Sequence, residues 1–204
     1  MSQELIAALQ NPALYDHPVT AFKVIETHIS WVILTGSFAY KIKKPVDFGF
    51  LNFTDLSARK HFCEKELQLN QRSAPDLYLD VLPIFGSTEN PSFQGDGEVI
   101  EYALKMREFP QSQLLDEVQN RGELSDALID QLAEQVAQLH TSTPSIDPKH
   151  PLNSVDAIAA PMIQNFEQIR PLLSDKADIA QLDVLEEWTN STLQRLHRTL
   201  QARC

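Results

Sequence analysis

Thr35-Gly36-Ser37-Phe38-Ala39-Tyr40-Lys41-Ile42-Lys43-Lys44-Pro45 reads as a tight turn followed by a strand that carries lysines onto a sheet face. Just upstream, Ile29 to Leu34 is a short apolar run rich in β-branched and aromatic residues, the composition of a strand. Gly36 supplies the turn between the two, because glycine alone enters left-handed or crowded backbone without steric penalty. Side chains alternate along a strand, so Ala39, Lys41 and Lys43 share one face while Phe38, Tyr40 and Ile42 share the other. The stretch therefore predicts a hairpin within a sheet, one face apolar and the other basic.

Outward from it, Phe22 to Leu51 is strand-like, interrupted at Gly36 and Pro45. Leu56 to Asn70 has helical periodicity, with Phe62, Glu66 and Leu69 at i, i+4 and i+7 on one face. Asp76 to Ile84 predicts another strand, and Gly86 to Gly97 a loop rich in turn formers. Val99 to Met106 alternates as a strand, and Pro110 stops it. At the other end, Ser2-Gln3-Glu4 opens a short helix with Ser2 as its cap, closed by Asn11-Pro12.

Beyond Pro110 the chain changes character and predicts helices only. These run over Gln111 to Asn120, Ser125 to His140, Val155 to Phe166 and Ile179 to Leu200, with a proline-rich linker from Thr141 to Asn153. Leu128, Leu132, Val136 and Leu139 form a stripe on the second, and Leu182, Leu185, Trp188, Leu193 and Leu196 a stripe expected to be buried on the last. A mixed first part and a helical second part make an α+β protein, with lobes expected at 1–110 and 111–204.

The chain has 204 residues, 43% hydrophobic and 22% charged, which suits a globular protein with a sizeable core. Its 28 acidic against 17 basic side chains leave a net charge of -11. That balance argues against nucleic-acid backbones and anionic membranes as partners, since both need net positive potential. No apolar stretch has transmembrane length, and Met1 to Gln10 lacks the marks of a signal peptide. Cys63 and Cys204 match no metal-ligand spacing, so reduced thiols and a cytoplasmic protein are expected. The six histidines are scattered, which argues against a zinc site.

Lys41 is the leading candidate for chemistry, with Lys43 its rival on the same face. A small residue followed by a lysine on one strand face makes room for a planar base and then reaches phosphate. An isolated strand lysine is ordinarily a solvated edge residue. Glu66 alters that, because a carboxylate beside Phe62 and Leu69 on an apolar helix face needs a cation. A strand lysine paired with an inward helix glutamate is how kinases orient a nucleotide's phosphates. Gly36 to Lys41 is not a Walker loop, since no second glycine precedes the lysine and no serine or threonine follows it. Asp47-Phe48-Gly49 spells a kinase metal-binding tripeptide, yet it follows the lysine strand directly, so Gly49 is expected to serve a turn.

The runs Glu26-Thr27-His28-Ile29-Ser30-Trp31, Ala39-Tyr40-Lys41-Ile42-Lys43-Lys44-Pro45-Val46-Asp47-Phe48-Gly49-Phe50-Leu51 and Cys63-Glu64-Lys65-Glu66-Leu67 resemble an uncharacterised bacterial branch of the aminoglycoside phosphotransferase family. The resemblance covers most of Phe22 to His140. It implies a protein-kinase-like fold: a small antiparallel-sheet lobe, then a helical lobe that is incomplete here, ending before the catalytic loop. On it, Gly36 and Ser37 lie over the phosphates of ATP, Lys41 binds them, Glu66 holds Lys41, and Met106 to Phe109 form the adenine-contacting hinge. Mg²⁺ and a small hydroxylated phosphate acceptor are implied as well.

One departure limits that expectation. Family members carry a His-Gly-Asp loop whose aspartate accepts the acceptor's proton, then an asparagine and a second aspartate for magnesium. No histidine in this chain is followed two positions later by aspartate. Catalytic and magnesium-binding residues are thus expected to be missing, and phosphoryl transfer depends on the positioning and electrostatics they provide. The chain is expected to be the front portion of a phosphotransferase, inactive as it stands. The alternatives are a non-catalytic nucleotide- or protein-binding module, and a domain in which Lys41 and Glu66 form a purely structural ion pair.

Overall fold

A computed structural model describes residues 3–204, so the expected cap Ser2 lies outside the described residues. The chain divides into two compact units, the first ending at His140 and the second beginning at Thr141. The expected lobes 1–110 and 111–204 do not coincide with them. The last strand does stop before Pro110, but residues 111–140 group with the sheet.

The first unit is built on a six-stranded antiparallel sheet, which makes the protein α+β as expected. Its strands are β1 (Lys23–Glu26), β2 (Ser30–Leu34), β3 (Phe38–Lys43), β4 (Tyr78–Gly86), β5 (Pro91–Ser92) and β6 (Val99–Arg107). They lie in the order β1-β2-β3-β6-β4-β5, so β6 enters between β3 and β4. At one margin β1 has four residues with Lys23 and Glu26 exposed at its ends; at the other β5 has two, the first a proline, and pairs only with Phe85 and Gly86 of β4.

One sheet face is covered by the N-terminal segment. Helix α1 (Gln3–Ala8) buries Leu5 and Ile6, with Leu9 just beyond, against Trp31, Ile33, Tyr40, Ile42, Ile84 and Ala103. Each large aliphatic side chain buried here contributes about 1.5–3 kcal/mol. Tyr40 and Ile42 thus fall on the apolar face that the strand period requires.

Helix α2 (Leu56–Asn70) has the bounds expected from its periodicity, and it packs against β4 and β6. The face it turns inward is not the expected one. Arg59 and Cys63 are its buried residues, whereas Phe62 and Leu69 are exposed. Charge is tolerated there because it is fully paired: Arg59 Nε donates to both carboxylate oxygens of Glu101 at 3.0 and 2.9 Å. Its Nη1 donates to the carbonyls of Phe53 and Thr54 at 2.9 and 2.7 Å. Glu64 forms an exposed pair with Lys60.

Between β3 and α2, Asp47 and Asn52 bridge a small hairpin whose tip is Gly49, at φ +79°. The Gly49 N–H donates to the Asp47 carboxylate at 2.8 Å, so Asp47-Phe48-Gly49 is a turn. The predicted helix over Gln111 to Asn120 is split: a 3₁₀ turn (Gln111–Gln113) is separated from α3 (Leu115–Asn120) by Leu114 in extended conformation. Helix α4 (Asp126–Ser142) follows, with Leu128, Leu132 and Val136 of its stripe exposed.

The second unit is a pair of helices, α5 (Val155–Ile169) and α6 (Lys176–Gln201), capped by Ser154 and Asp175. Arg170 ties their junction to α6 through Asp183 and Glu186. Of the stripe expected to be buried on α6, Leu182 alone is buried, while Leu185, Trp188 and Leu196 are exposed. Two helices bury only the seam between them, and the rest of the stripe borders an apolar groove of about 570 Å³ with Met162 and Phe166. Among the described residues no helix is long and apolar enough to cross a membrane.

Candidate functional site

On the α2 side of the sheet, β3 presents Ala39, Lys41 and Lys43 in sequence. Alternate residues on a strand stand about 7 Å apart, so these positions lie in successive rows of that face. Ala39 pairs with Leu34 on β2 and with Met106 on β6; Lys41 pairs with Val32 and Leu104. Next to them is a cavity of about 220 Å³ whose apolar floor comprises Ile25, Val32, Leu34, Ala39 and Met106. Leu77, Tyr78 and the segment Arg107-Glu108-Phe109 complete its walls. Ala39 keeps the space open, since any longer side chain there would project into it.

Lys41 and Lys43 do not compete for Glu66; they share it. Lys41 Nζ donates to Glu66 Oε1 at 2.7 Å and Lys43 Nζ donates to Oε2 at 2.6 Å. The expected choice of Lys41 over Lys43 is therefore replaced by a three-residue cluster. The two lysines differ in access: side-chain exposure is 24% for Lys41 and 5% for Lys43. Lys43 also lies over the Phe53 ring, 5.0 Å from its centre. Burial works to raise the Glu66 pKa, but the hydrogen bonds and charges of the two lysines prevail and hold it below the usual carboxylate range. Two cations and one anion leave a surplus positive charge in a setting only partly open to water. Such a cluster attracts an anion.

Tyr78 links the cluster to the cavity. Burial, with the Glu66 charge adding to it, raises its phenol above the ordinary value, so it is a neutral hydroxyl at physiological pH. Cys63 lies near the same groups, and burial pushes its thiol up to about 11. It is a packing residue, because the thiolate is the reactive form.

Gly36 has φ +91°, the left-handed backbone its turn requires. Its surroundings differ from the expected ones. The N–H groups of Thr35 and Gly36 donate to a Glu108 carboxylate oxygen at 3.0 and 2.7 Å, and the Glu108 N–H donates back to the Ser37 carbonyl at 3.0 Å. The turn's amides are engaged from within the protein. Gly36 and Ser37 stand at the Met106–Phe109 end of the cavity, whereas β3 carries Lys41 and Lys43 away toward the β1–β2 turn, where the Lys44 N–H donates to the Ile29 carbonyl. The structure thus brings together Lys41, Lys43, Glu66 and Met106 around one face. Gly36 and Ser37 are joined instead to Glu108.

Sequence reasoning missed Lys43's equal share in the bridge, the walls supplied by Ile25, Val32 and Tyr78, and the grip of Glu108. Period-two alternation within β2, which puts Val32 and Leu34 on one face, is a usable signal for part of the floor. Glu108 had none, since its contact spans more than seventy residues.

No family model matches the chain, and no solved structure matches it. One uncharacterized protein of Mycobacterium bovis and two of Mycobacterium tuberculosis are each 30% identical to it over 157 residues, which is 76% of this chain. The chain spans 30% of the length of these curated relatives. Their names assign no activity, and none passes from them to this chain.

Proposed function

We propose that the first unit is the nucleotide-binding lobe of a protein-kinase-like small-molecule phosphotransferase, similar to the aminoglycoside phosphotransferase family. The observation that carries this reading is the adjacency of Ala39, on the floor of an apolar cavity, and Lys41, bonded to Glu66 of α2. The base of ATP would occupy the cavity against Ala39 and Met106, beside the Glu108–Phe109 segment. Its phosphates would extend along β3 to Lys41. An apolar slot of about 220 Å³ suits the planar base in size and polarity, and the Lys41–Lys43–Glu66 cluster with its surplus cation lies further along β3, where the phosphates would be. The strand order β1-β2-β3-β6-β4, with a helix inserted between β3 and β4, agrees with such a lobe.

Magnesium fits less well. Among the described residues no group of three or more His, Cys, Asp or Glu side chains could hold a metal ion, so no step is assigned to it here. The chain also has no His-x-Asp sequence to provide a catalytic base. What its own residues do is bind and orient: the cavity excludes water from the base, and Lys41 places a phosphate relative to α2. The acceptor is a small hydroxylated molecule recognised elsewhere, in a cytoplasmic setting.

Calorimetric titration of the whole chain with ATP and with adenosine tests this. Both are expected to bind, ATP more tightly, and saturating ATP at a hundred times its Kd should stabilise the first unit by about 2.7 kcal/mol. Failure of both ligands to bind at millimolar concentration, with a lowered melting point in Lys41→Met, would leave Lys41 and Glu66 a structural ion pair.

A further inference from the structure

Glu66 has one more lysine than a simple strand-to-helix bridge needs, and the two are not equivalent. Lys43 is almost entirely buried, packed over Phe53, while Lys41 is partly open and nearer in the sheet to Ala39 and the cavity. A bridge made by one lysine contains a conflict. When an incoming phosphate draws the ammonium toward itself, the carboxylate loses its partner, and a partly buried carboxylate without a partner is costly. A second lysine on the other oxygen removes that conflict, because Glu66 remains paired whatever Lys41 does. It also leaves the cluster with a net positive charge for the ligand's anion.

We propose that Lys43 is a positioning residue. It holds Glu66 ionised and in place, so that Lys41 can be shared with the phosphates of a bound nucleotide. The proposal rests on the nucleotide reading above and adds to it a division of labour: Lys41 touches the ligand, and Lys43 acts through Glu66. Lys43 itself need not reach the phosphates. The base pocket, one row of the sheet beyond Lys41, is indifferent to the change.

The test compares ATP and adenosine affinities for the full chain and for Lys41→Met, Lys43→Met and Lys43→Arg. Adenosine is expected to bind all four within about twofold. The preference for ATP over adenosine should disappear in Lys41→Met, fall about tenfold in Lys43→Met, and return in Lys43→Arg. A Lys43→Met protein that keeps the full preference for ATP overturns the proposal and leaves the nucleotide reading intact. Equal loss of both ligands in Lys43→Met also overturns it, since that is the behaviour of a folding residue. A parent chain that binds neither ligand overturns the nucleotide reading, and the proposal with it.

Should Lys43→Met fail to fold, the parent chain supplies a second measurement. ATP binding at pH 5 in buffers of different ionisation enthalpy reports protons taken up on binding. No uptake assigned to Glu66, by comparison with Glu66→Gln, is the expected result. Uptake of close to one proton by Glu66 means that it loses its pairing when Lys41 engages phosphate, which Lys43 was to prevent, and overturns the proposal.

Discussion

Replacing Arg59 by methionine removes the cation from a pair that is almost wholly out of water: Arg59 is 7% exposed and Glu101 0%. Glu101 would keep only the Tyr102 amide as a donor, and the carbonyls of Phe53 and Thr54 would lose theirs. Breaking a buried pair from one side costs about 3–5 kcal/mol, a large share of the roughly 5–15 kcal/mol that holds a domain together. Removing both partners in Arg59→Met/Glu101→Leu should recover most of the loss, because a packed apolar pair no longer leaves a buried charge. Urea unfolding followed by Trp31 fluorescence reads this in the first unit, with Trp188→Phe silencing the second of the two tryptophans. Burial already raises the Glu101 pKa against the pull of Arg59, so in Arg59→Met the lone carboxyl should take up a proton readily. The deficit should therefore shrink from pH 7 toward pH 5. An Arg59→Met chain within about 1 kcal/mol of its parent, or a double variant no better than the single one, would refute the argument.

Other perturbations have contrasting signs. The Glu66 pKa is lowered in the folded chain, so its stabilisation is complete above the unfolded value of about 4.3 and is lost as pH falls through the lower folded value. The stability gap between the parent and Glu66→Gln should hold from pH 7 to pH 5 and close below about pH 4, read from urea midpoints; a gap unchanged at pH 3 contradicts it. Gly36→Ala and Gly86→Ala both force alanine into left-handed backbone, at about 1–2 kcal/mol. At Gly86 the new Cβ would also lie 2.4 Å from the Asn90 carbonyl oxygen, while at Gly36 it meets nothing within 4 Å. Gly86→Ala should thus lower the melting temperature more, and equal losses would argue against the close approach. Glu108→Ala removes the acceptor of the Gly36 amide, while the Thr35 amide keeps the Phe38 carbonyl, and should cost about 1.5 kcal/mol in urea unfolding; no loss would mean that water replaces the carboxylate fully.

Local chemistry was legible where neighbours in sequence are also neighbours in space. The two faces of β3, the bounds of α2 and the turn at Gly49 follow from alternation, helical period and glycine geometry over a few residues. Apolar spacing alone does not mark the buried face of α2. Phe62 and Leu69 carry that spacing yet are exposed, while Arg59, paired with Glu101, turns inward beside the expected Glu66, which two lysines from a different element neutralise. A charged side chain declares its partner only once the sheet is assembled. The choice of Lys41 over Lys43 fails to show the sharing for the same reason: they lie on one face, and only the position of Glu66 between them shows that both are used. On α6 the period identified the apolar face correctly, but a period says nothing about how much of that face another helix covers.

The margins of the sheet have a consequence for how the chain behaves in a crowded solution. A sheet edge is a row of unpaired backbone donors and acceptors, and a matching strand from another molecule can extend it. Here β1 offers four residues with charged ends, and β5 covers only Phe85 and Gly86 of β4, whose remaining edge contains Pro83, which cannot donate, and the Val81 amide, which donates to the Asp80 carboxylate. The charged ends of β1, the proline of β4 and the engaged Val81 amide each interrupt the row that a foreign strand would need, which works against sheet growth from molecule to molecule.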